Sequence, residues 1–396
     1  MTAGHSPSEL EDLKRRACDA IDGQSAALID LSRRIHANPE LRFEEERASL
    51  WLAEYLESID FRVDRAAYGL ATAFAAEKGT GRPRVAVLCE YDALPEIGHA
   101  CGHNVIAAAG VGAAAGLARV IDGLSGSVRV LGTPAEEGGG GKVIMARAGA
   151  FADVDVAMMI HPSGADALEI DALAITSLRV EYHGRAAHAA AAPHHGINAL
   201  DAMVTAYNAI AQLRQHIAPG ERVHGIITDG GQAPNIVPEH TSGVFYVRAP
   251  NRAGLEALEK RVLDCFRAGA LATGAQVAVT KVGEDYEELS TNQPLAALYA
   301  ANLEKLGRVF GVSERVTGST DMGNVSHLVP SIHPMLQIAP PDVPLHTVEF
   351  CKWAGSERGD RGVLDGAKAM AMTAIDYLAD ADLREAVRAS FTPPRL

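Results

Sequence analysis

The stretch VAVLCEYDALPEIGHACGHNVIAAAGVGAAAGLA, residues 85–118, decides the fold. Its first part, Val85 to Cys89, is a short apolar run of strand length, bounded by polar residues. Its last part, Val105 to Ala118, is a 14-residue apolar run rich in Ala and Gly, which is helical length. Between them lies a loop crowded with chemistry: Glu90, Asp92, His99, Cys101 and His103. A strand, a polar loop and a buried helix form half of a βαβ unit.

The same rhythm continues on both sides. Downstream, the strand Val128–Leu131 leads through a Gly-rich loop into a helix reaching Ala146, and Val156–Ile160 is another strand. Upstream, Ile21, Leu28, Leu31 and Ile35 keep to one face of a helical segment that Asn38-Pro39 ends, and a second helix spans Glu45–Ser58. The pattern then changes. Ser177–Tyr182, Ala199–His216, Val223–Thr228, Gly243–Val247, Arg252–Ala270 and Gln276–Lys281 read as β-α-β-β-α-β, the split ferredoxin-like order. After Tyr286 the earlier style resumes, with a helix near Leu295–Leu306 and a strand at Met335–Ile338.

The expected fold is therefore α/β. A mostly parallel sheet with helices on both faces forms a catalytic domain from residues 1–174 and 286–396, and an α+β ferredoxin-like domain, residues 175–285, is inserted into it. A chain of 396 residues is also long for one core.

Composition narrows the function classes. A net charge of −14 with no basic stripe argues against a nucleic-acid partner. The Val105–Ala118 run is shorter than the roughly 18 residues of a membrane span. Met1 to Leu31 is polar and charged, without the apolar core of a signal peptide. Five scattered cysteines, Cys18, Cys89, Cys101, Cys265 and Cys351, do not form a disulfide framework, so a reducing, cytoplasmic setting is expected.

Four clusters of possible metal ligands follow four of the expected strands: Asp92, Cys101 and His103; Glu136 and Glu137; His161; and His346. Open α/β sheets build their sites at the carboxyl ends of strands. Histidine, carboxylate and thiolate suit zinc, or manganese where oxygen ligands weigh more. One ion has little use for Cys101, His103, Glu137, His161 and His346 together, whereas two ions about 3.5–4 Å apart use all five. One of the paired glutamates is then available to move protons between water and a leaving amine. Singly, each cluster has a plain reading as buried thiol or solvated surface. The Gly138–Gly141 run lacks the Lys-Ser/Thr pair of a phosphate loop, and no Gly-x-Ser-x-Gly elbow marks a serine hydrolase.

At these residues the sequence resembles the aminoacylase/carboxypeptidase G family of dinuclear metallo-amidohydrolases. The similarity runs from Arg34-Ile35-His36-Ala37-Asn38-Pro39-Glu40-Leu41 to Leu345-His346-Thr347 and is strongest to the cysteine-ligand branch of p-aminobenzoyl-glutamate, β-alanyl-dipeptide and auxin-conjugate hydrolases. The resemblance implies that Cys101 bridges two Zn2+ or Mn2+ ions completed by His103, Glu137, His161 and His346, with Glu136 as general base on the water between them. Where the wider family has a ligand His this chain has Glu90, and Asp92 would orient a ligand rather than bind metal. Asn104 stands where auxin-conjugate enzymes carry Asp. The inserted domain resembles the family's lid, which also makes the dimer contact. Its His188 would stabilise the oxyanion, Asn235 would bind substrate, and Arg248 would hold a substrate carboxylate, the plainer role for Arg248 being an edge-strand ion pair. Ser319 and Asp321 border the site without an assigned role. The implied activity is hydrolysis of a small N-acyl amino acid, dipeptide or aminobenzoyl-glutamate-type amide by a homodimer. A metal-dependent esterase or deacetylase, or a binding protein that keeps the fold, are the alternatives.

Overall fold

The computed structural model describes residues 5–310 and 317–392. Contacts divide them into two compact units, Ala172–Glu288 and the remainder on either side of it.

The larger unit is organised by a six-stranded sheet in the order Arg62–Arg65, Phe74–Thr80, Gly126–Thr133, Arg84–Glu90, Val156–Met158 and Ser331–Ile332. The last four strands run parallel. The first two are antiparallel and were not among the expected elements. Phe74-Ala75-Ala76-Glu77-Lys78 has no alternation of apolar and polar residues, so periodicity passes over it. It pairs because Phe74 lies against Gly132, where a Cβ would come within 2.1 Å of the ring. The expected strand Val156–Ile160 also needs correction: its ladder stops at Met158. His161–Ser163 is a separate strand that pairs in parallel with Met335–Gln337, His161 opposite Met335.

The helix His103–Ala118 is buried along almost its whole length and packs on the Arg84–Glu90 strand. Its glycines permit that approach: a Cβ on Gly110 would fall 2.4 Å from Cys89 Sγ, and one on Gly116 2.8 Å from the Ile21 side chain. The first helical segment divides in two, Pro7–Gly23 and Ser25–Ala37, with the break at Gln24, yet Ile21, Leu28, Leu31 and Ile35 are all buried as their spacing requires. Register aligns Glu90 with Thr133 across the parallel pair. The segments that leave these two strands, bearing Asp92 on one side and Glu136 and Glu137 on the other, therefore start from one edge of the sheet.

The second unit is an antiparallel sheet in the order Gln276–Lys281, Ala174–His183, His240–Ala249, Arg222–Asp229, with the helices Ala199–Leu213 and Arg252–Thr273. Alternate residues of Ala174–His183 are buried, and Leu178, Val180, Tyr182, Phe245, Val247 and Phe266 make its core. Asn198 and Asn251 cap the two helices through their side chains. At the base of the unit Ile175 and Tyr286 exchange both backbone hydrogen bonds, at 2.9 and 3.0 Å. Among the described residues no helix is long and apolar enough to cross a membrane.

Candidate metal centre

Four side chains, His103, Glu137, His161 and His346, gather around the thiol of Cys101 in the larger unit. His161 Nε2 lies 3.5 Å from Cys101 Sγ, and His346 Nε2 lies 3.4 Å from it on another side. Two three-residue groups result, Cys101 with His103 and His161, and Cys101 with Glu137 and His346, in each of which the donor atoms lie within 4.8 Å of one another. Cys101 is the member common to both. The first group is buried; in the second the His346 side chain is 53% exposed.

Local structure aims these donors. His161 Nδ1 is engaged by its own neighbour's carbonyl, Pro162 O at 2.7 Å, which turns Nε2 toward Cys101. His103 Nδ1 is held by Asp92, through the carbonyl at 2.8 Å and Oδ1 at 3.1 Å, so its Nε2 faces the site. Asp92 Oδ2 accepts from the Glu137 N–H at 2.9 Å. His346 has a left-handed backbone, φ 61°, and its N–H is tied to Ala100 O at 3.0 Å. The Gly-rich run that follows the glutamates makes room: a Cβ on Gly141 would sit 1.8 Å from Pro134 O, and Gly138 and Gly140 have φ of 90° and 73°.

The donor set fits a pair of divalent cations. The S···N edge of a tetrahedron with bonds of about 2.3 Å to sulfur and about 2.0–2.1 Å to nitrogen is roughly 3.5–3.6 Å, and the two Cys101–His distances match it. Two buried atoms that face the centre, His103 Nε2 and Glu137 Oε1, make no hydrogen bond within the protein. His103 Nε2 is 2.9 Å from Glu90 Oε1 but is not directed at it, and Glu137 Oε1 is 3.3 Å from His346 Nε2. Groups left this way cost about 1–3 kcal/mol each unless something else binds them. Burial, together with Glu137, pushes the Cys101 thiol well above its usual range, and a cation is what makes such a thiol a ligand.

The paired glutamates differ. Burial and the carboxylates of Glu90, Glu137 and Asp321 push the Glu136 carboxyl well above the ordinary range. Burial would raise Glu137 too, but His346 and His103 hold it below. Two adjacent carboxyls driven apart in this way suit one proton carrier and one permanent anion.

Sequence reasoning missed an ion cluster behind this centre. Lys142 is fully buried; its ammonium contacts Glu90 Oε2 and lies 2.7 Å from Asp321 Oδ1, while its N–H donates to Asp321 Oδ2 at 2.9 Å. Asp321 thus anchors the Gly-rich loop, and Glu90 sits between Lys142 and His103. Only the burial of Lys142, at the start of the helix Gly141–Arg147, distinguishes it, and sequence does not show that burial.

The three candidate residues of the inserted unit are placed within that unit. His188 and Ile236 form an antiparallel bridge that brings the loops of His188 and Asn235 side by side, and both side chains are exposed. His188 Nδ1 accepts from Ala190 N–H at 3.3 Å and Ala191 N–H at 3.2 Å, which leaves Nε2 as the donor. Arg248 lies on the strand His240–Ala249, which is paired on both sides and so is not an edge strand. Its guanidinium stands 5.8 Å from the Tyr246 ring centre.

Comparison with known proteins follows the same division. Residues 174–273 match the model of a peptidase dimerisation domain. The chain is 45% identical over 404 residues to the Xaa-Arg dipeptidase of Mus musculus, covering 98% of this chain and 94% of that one. It is 30% identical over 450 residues to a p-aminobenzoyl-glutamate hydrolase polypeptide of Escherichia coli, with 94% of each covered. Among solved structures, it resembles a dinuclear metal-binding M20 peptidase of Bacillus subtilis, with a TM-score of 0.69 at 19% identity, over 90% of this chain and 99% of that one.

Proposed function

Because the chain belongs to the M20 peptidase family and carries its dimerisation domain, we propose that it is a two-metal dipeptidase or N-acyl amino acid hydrolase whose substrate has a carboxylate next to the scissile amide. The observation that carries the reading is Cys101, one thiol common to two candidate ligand groups. Similarity to an Xaa-Arg dipeptidase makes dipeptides ending in Arg the first substrates to test, and aminobenzoyl-glutamate the second.

Cys101, His103 and His161 would hold one ion, and Cys101, Glu137 and His346 the other, zinc or manganese in each case. When bound, the pair supplies a Lewis acid for the scissile carbonyl and lowers the pKa of the attacking water. Asp92 keeps His103 in the tautomer and orientation that offers Nε2. Glu136 takes the proton as water adds to the carbonyl carbon and returns it to the nitrogen as the C–N bond breaks. A carboxyl with a raised pKa suits that task, since it must hold the proton between the two transfers. His188, with Nε2–H as donor, would stabilise the oxyanion, from the same chain or across a homodimer built through the inserted unit. Asn235 would bind substrate beside it.

Purified protein is expected to hold close to two divalent ions per chain by elemental analysis. Chelation should abolish dipeptide hydrolysis, and zinc or manganese should restore it. A metal-free preparation with full activity refutes the proposal.

Arg248 would hold the substrate carboxylate through two parallel charge-assisted hydrogen bonds, a geometry lysine cannot copy. The expected order of kcat/KM is wild type, Arg248→Lys, then Arg248→Ala. Amidating the carboxylate should weaken wild type by about 2–5 kcal/mol and the Ala variant little. Equal cleavage of acid and amide by wild type assigns Arg248 a structural role instead.

A further inference from the structure

Glu45 is fully buried, although it stands at the start of the exposed-looking run Glu44-Glu45-Glu46-Arg47. Its position just before the helix Glu46–Ser58 invites a capping role, but its side chain makes no cap bond. The capping carboxylate is Glu40, which accepts from the N–H groups of Arg47 and Ala48. Glu45 points the other way. Its Oε1 accepts from Phe43 N–H at 2.9 Å and from Ala135 N–H at 2.8 Å, and its Oε2 from the Thr72 hydroxyl at 2.8 Å.

Both backbone donors on Oε1 belong to strained residues. Phe43 and Ala135 are non-glycine residues in the left-handed region, at φ 65° and 60°. Such a conformation is disfavoured for an L-residue and persists where its surroundings hold it. Ala135 immediately precedes Glu136. Its carbonyl accepts from Gly139 N–H and Gly140 N–H, at 3.1 and 2.8 Å, so Glu45 and the Gly-rich loop fix its peptide groups from both ends. On the far side of Glu136, the Glu137 N–H is held by Asp92. The backbone of Glu136 is therefore clamped between two carboxylates from distant segments. Thr72 joins the clamps, because its carbonyl accepts from the hydroxyl of Tyr91, the neighbour of Asp92, at 2.5 Å.

We infer that Glu45 is a positioning residue for the proton carrier: its carboxylate fixes the left-handed turn at Ala135 and so sets where Glu136 delivers and collects a proton. The inference rests on the reading of Glu136 given above. Burial and the nearby Asp92 push the Glu45 carboxyl up to about 7 against the pull of its hydrogen bonds, so the group is held at an energetic expense that helix formation does not explain.

Reach, not charge, is then what matters, and two isolated changes separate them. Glu45→Gln keeps the length and lets its carbonyl accept both N–H groups while its amide donates to the Thr72 hydroxyl, which can also accept. Glu45→Asp keeps the charge but is one methylene short. The expected kcat order is wild type and Gln within about threefold, then Asp, then Ala. The Ala variant should fall by about 10²-fold, the scale of a 1 Å misplacement. KM and metal content should be unchanged throughout, and the Gln and Asp variants decide the matter even where Ala does not fold. Activity retained by Asp and lost by Gln, a flat series, or metal content falling in step with kcat each overturns the inference. Inactive or metal-free wild type defeats the proposed function instead, while an inactive Glu136→Gln beside a flat Glu45 series defeats this inference alone.

Discussion

Glu136→Gln should lower kcat for dipeptide hydrolysis by about 10²–10⁴-fold or more while leaving close to two metal ions on each chain. The amide copies the shape of the carboxyl but cannot accept the proton of the attacking water. Glu136 is absent from both ligand groups around Cys101, although it forms a third candidate group with Glu90 and His103, so retained metal is what separates a proton carrier from a ligand. Glu137→Gln should behave in the opposite way, losing or loosening one ion, because Glu137 completes the group of Cys101 and His346. The carboxyls are already differentiated: Glu136 is driven up by burial among anions, and Glu137 is held down by the histidines. Measuring kcat and bound metal on both variants checks the pair. A metal-poor Glu136→Gln with a fully loaded Glu137→Gln would reverse the two roles.

Lys142→Met should destabilise the folded chain by about 3–5 kcal/mol, the range for removing one partner of a buried ion pair. Lys142, Glu90 and Asp321 are all buried, so without the ammonium two carboxylates lose their counter-charge at once. The sign of the pH dependence follows. Without Lys142 the Asp321 carboxyl, already raised by burial, should bind its proton more tightly still than in the unfolded chain. The deficit is then full above its raised folded value and relieved as pH falls toward the unfolded range of about 4. Even beside Lys142, burial pushes Asp321 up to about 6. Urea midpoints at neutral and mildly acidic pH, with the slope unchanged, measure the effect. Adding Glu90→Gln and Asp321→Asn to Lys142→Met should recover part of the loss, since a neutral set removes the unpaired charges. A single variant as stable as wild type at neutral pH contradicts the assignment of Lys142 as counter-ion.

Much of the fold was legible because helix and strand periods differ so sharply in this chain. The Val85–Cys89 run, the Ala/Gly-rich helix and the β-α-β-β-α-β order of the second unit all appear where their spacing puts them. Phe74–Thr80 escaped because its pairing depends on Gly132 receiving the Phe74 ring, a contact between residues far apart in sequence. The donors around Cys101 could be collected by type and by their place after strands. Asp321 could be placed at the border of the site but given no role, and Lys142 and Glu45 could not be placed at all, since in sequence each looks like an ordinary surface charge. Burial alone gives them their meaning, and burial of such a residue is set by what the rest of the chain lays over it.

The paired backbone of Ile175 and Tyr286 means that the chain leaves for the second unit and returns from it at a single point. A segment whose ends meet behaves as a cassette. Residues 172–288 can be lengthened, exchanged or rewritten internally while the polypeptide on either side meets the same two neighbouring ends. In evolutionary terms, the match to a dimerisation domain lies wholly on one removable insert, and the candidate metal donors lie on the chain it interrupts. A lineage can therefore alter the insert without rediscovering how to bring those donors together.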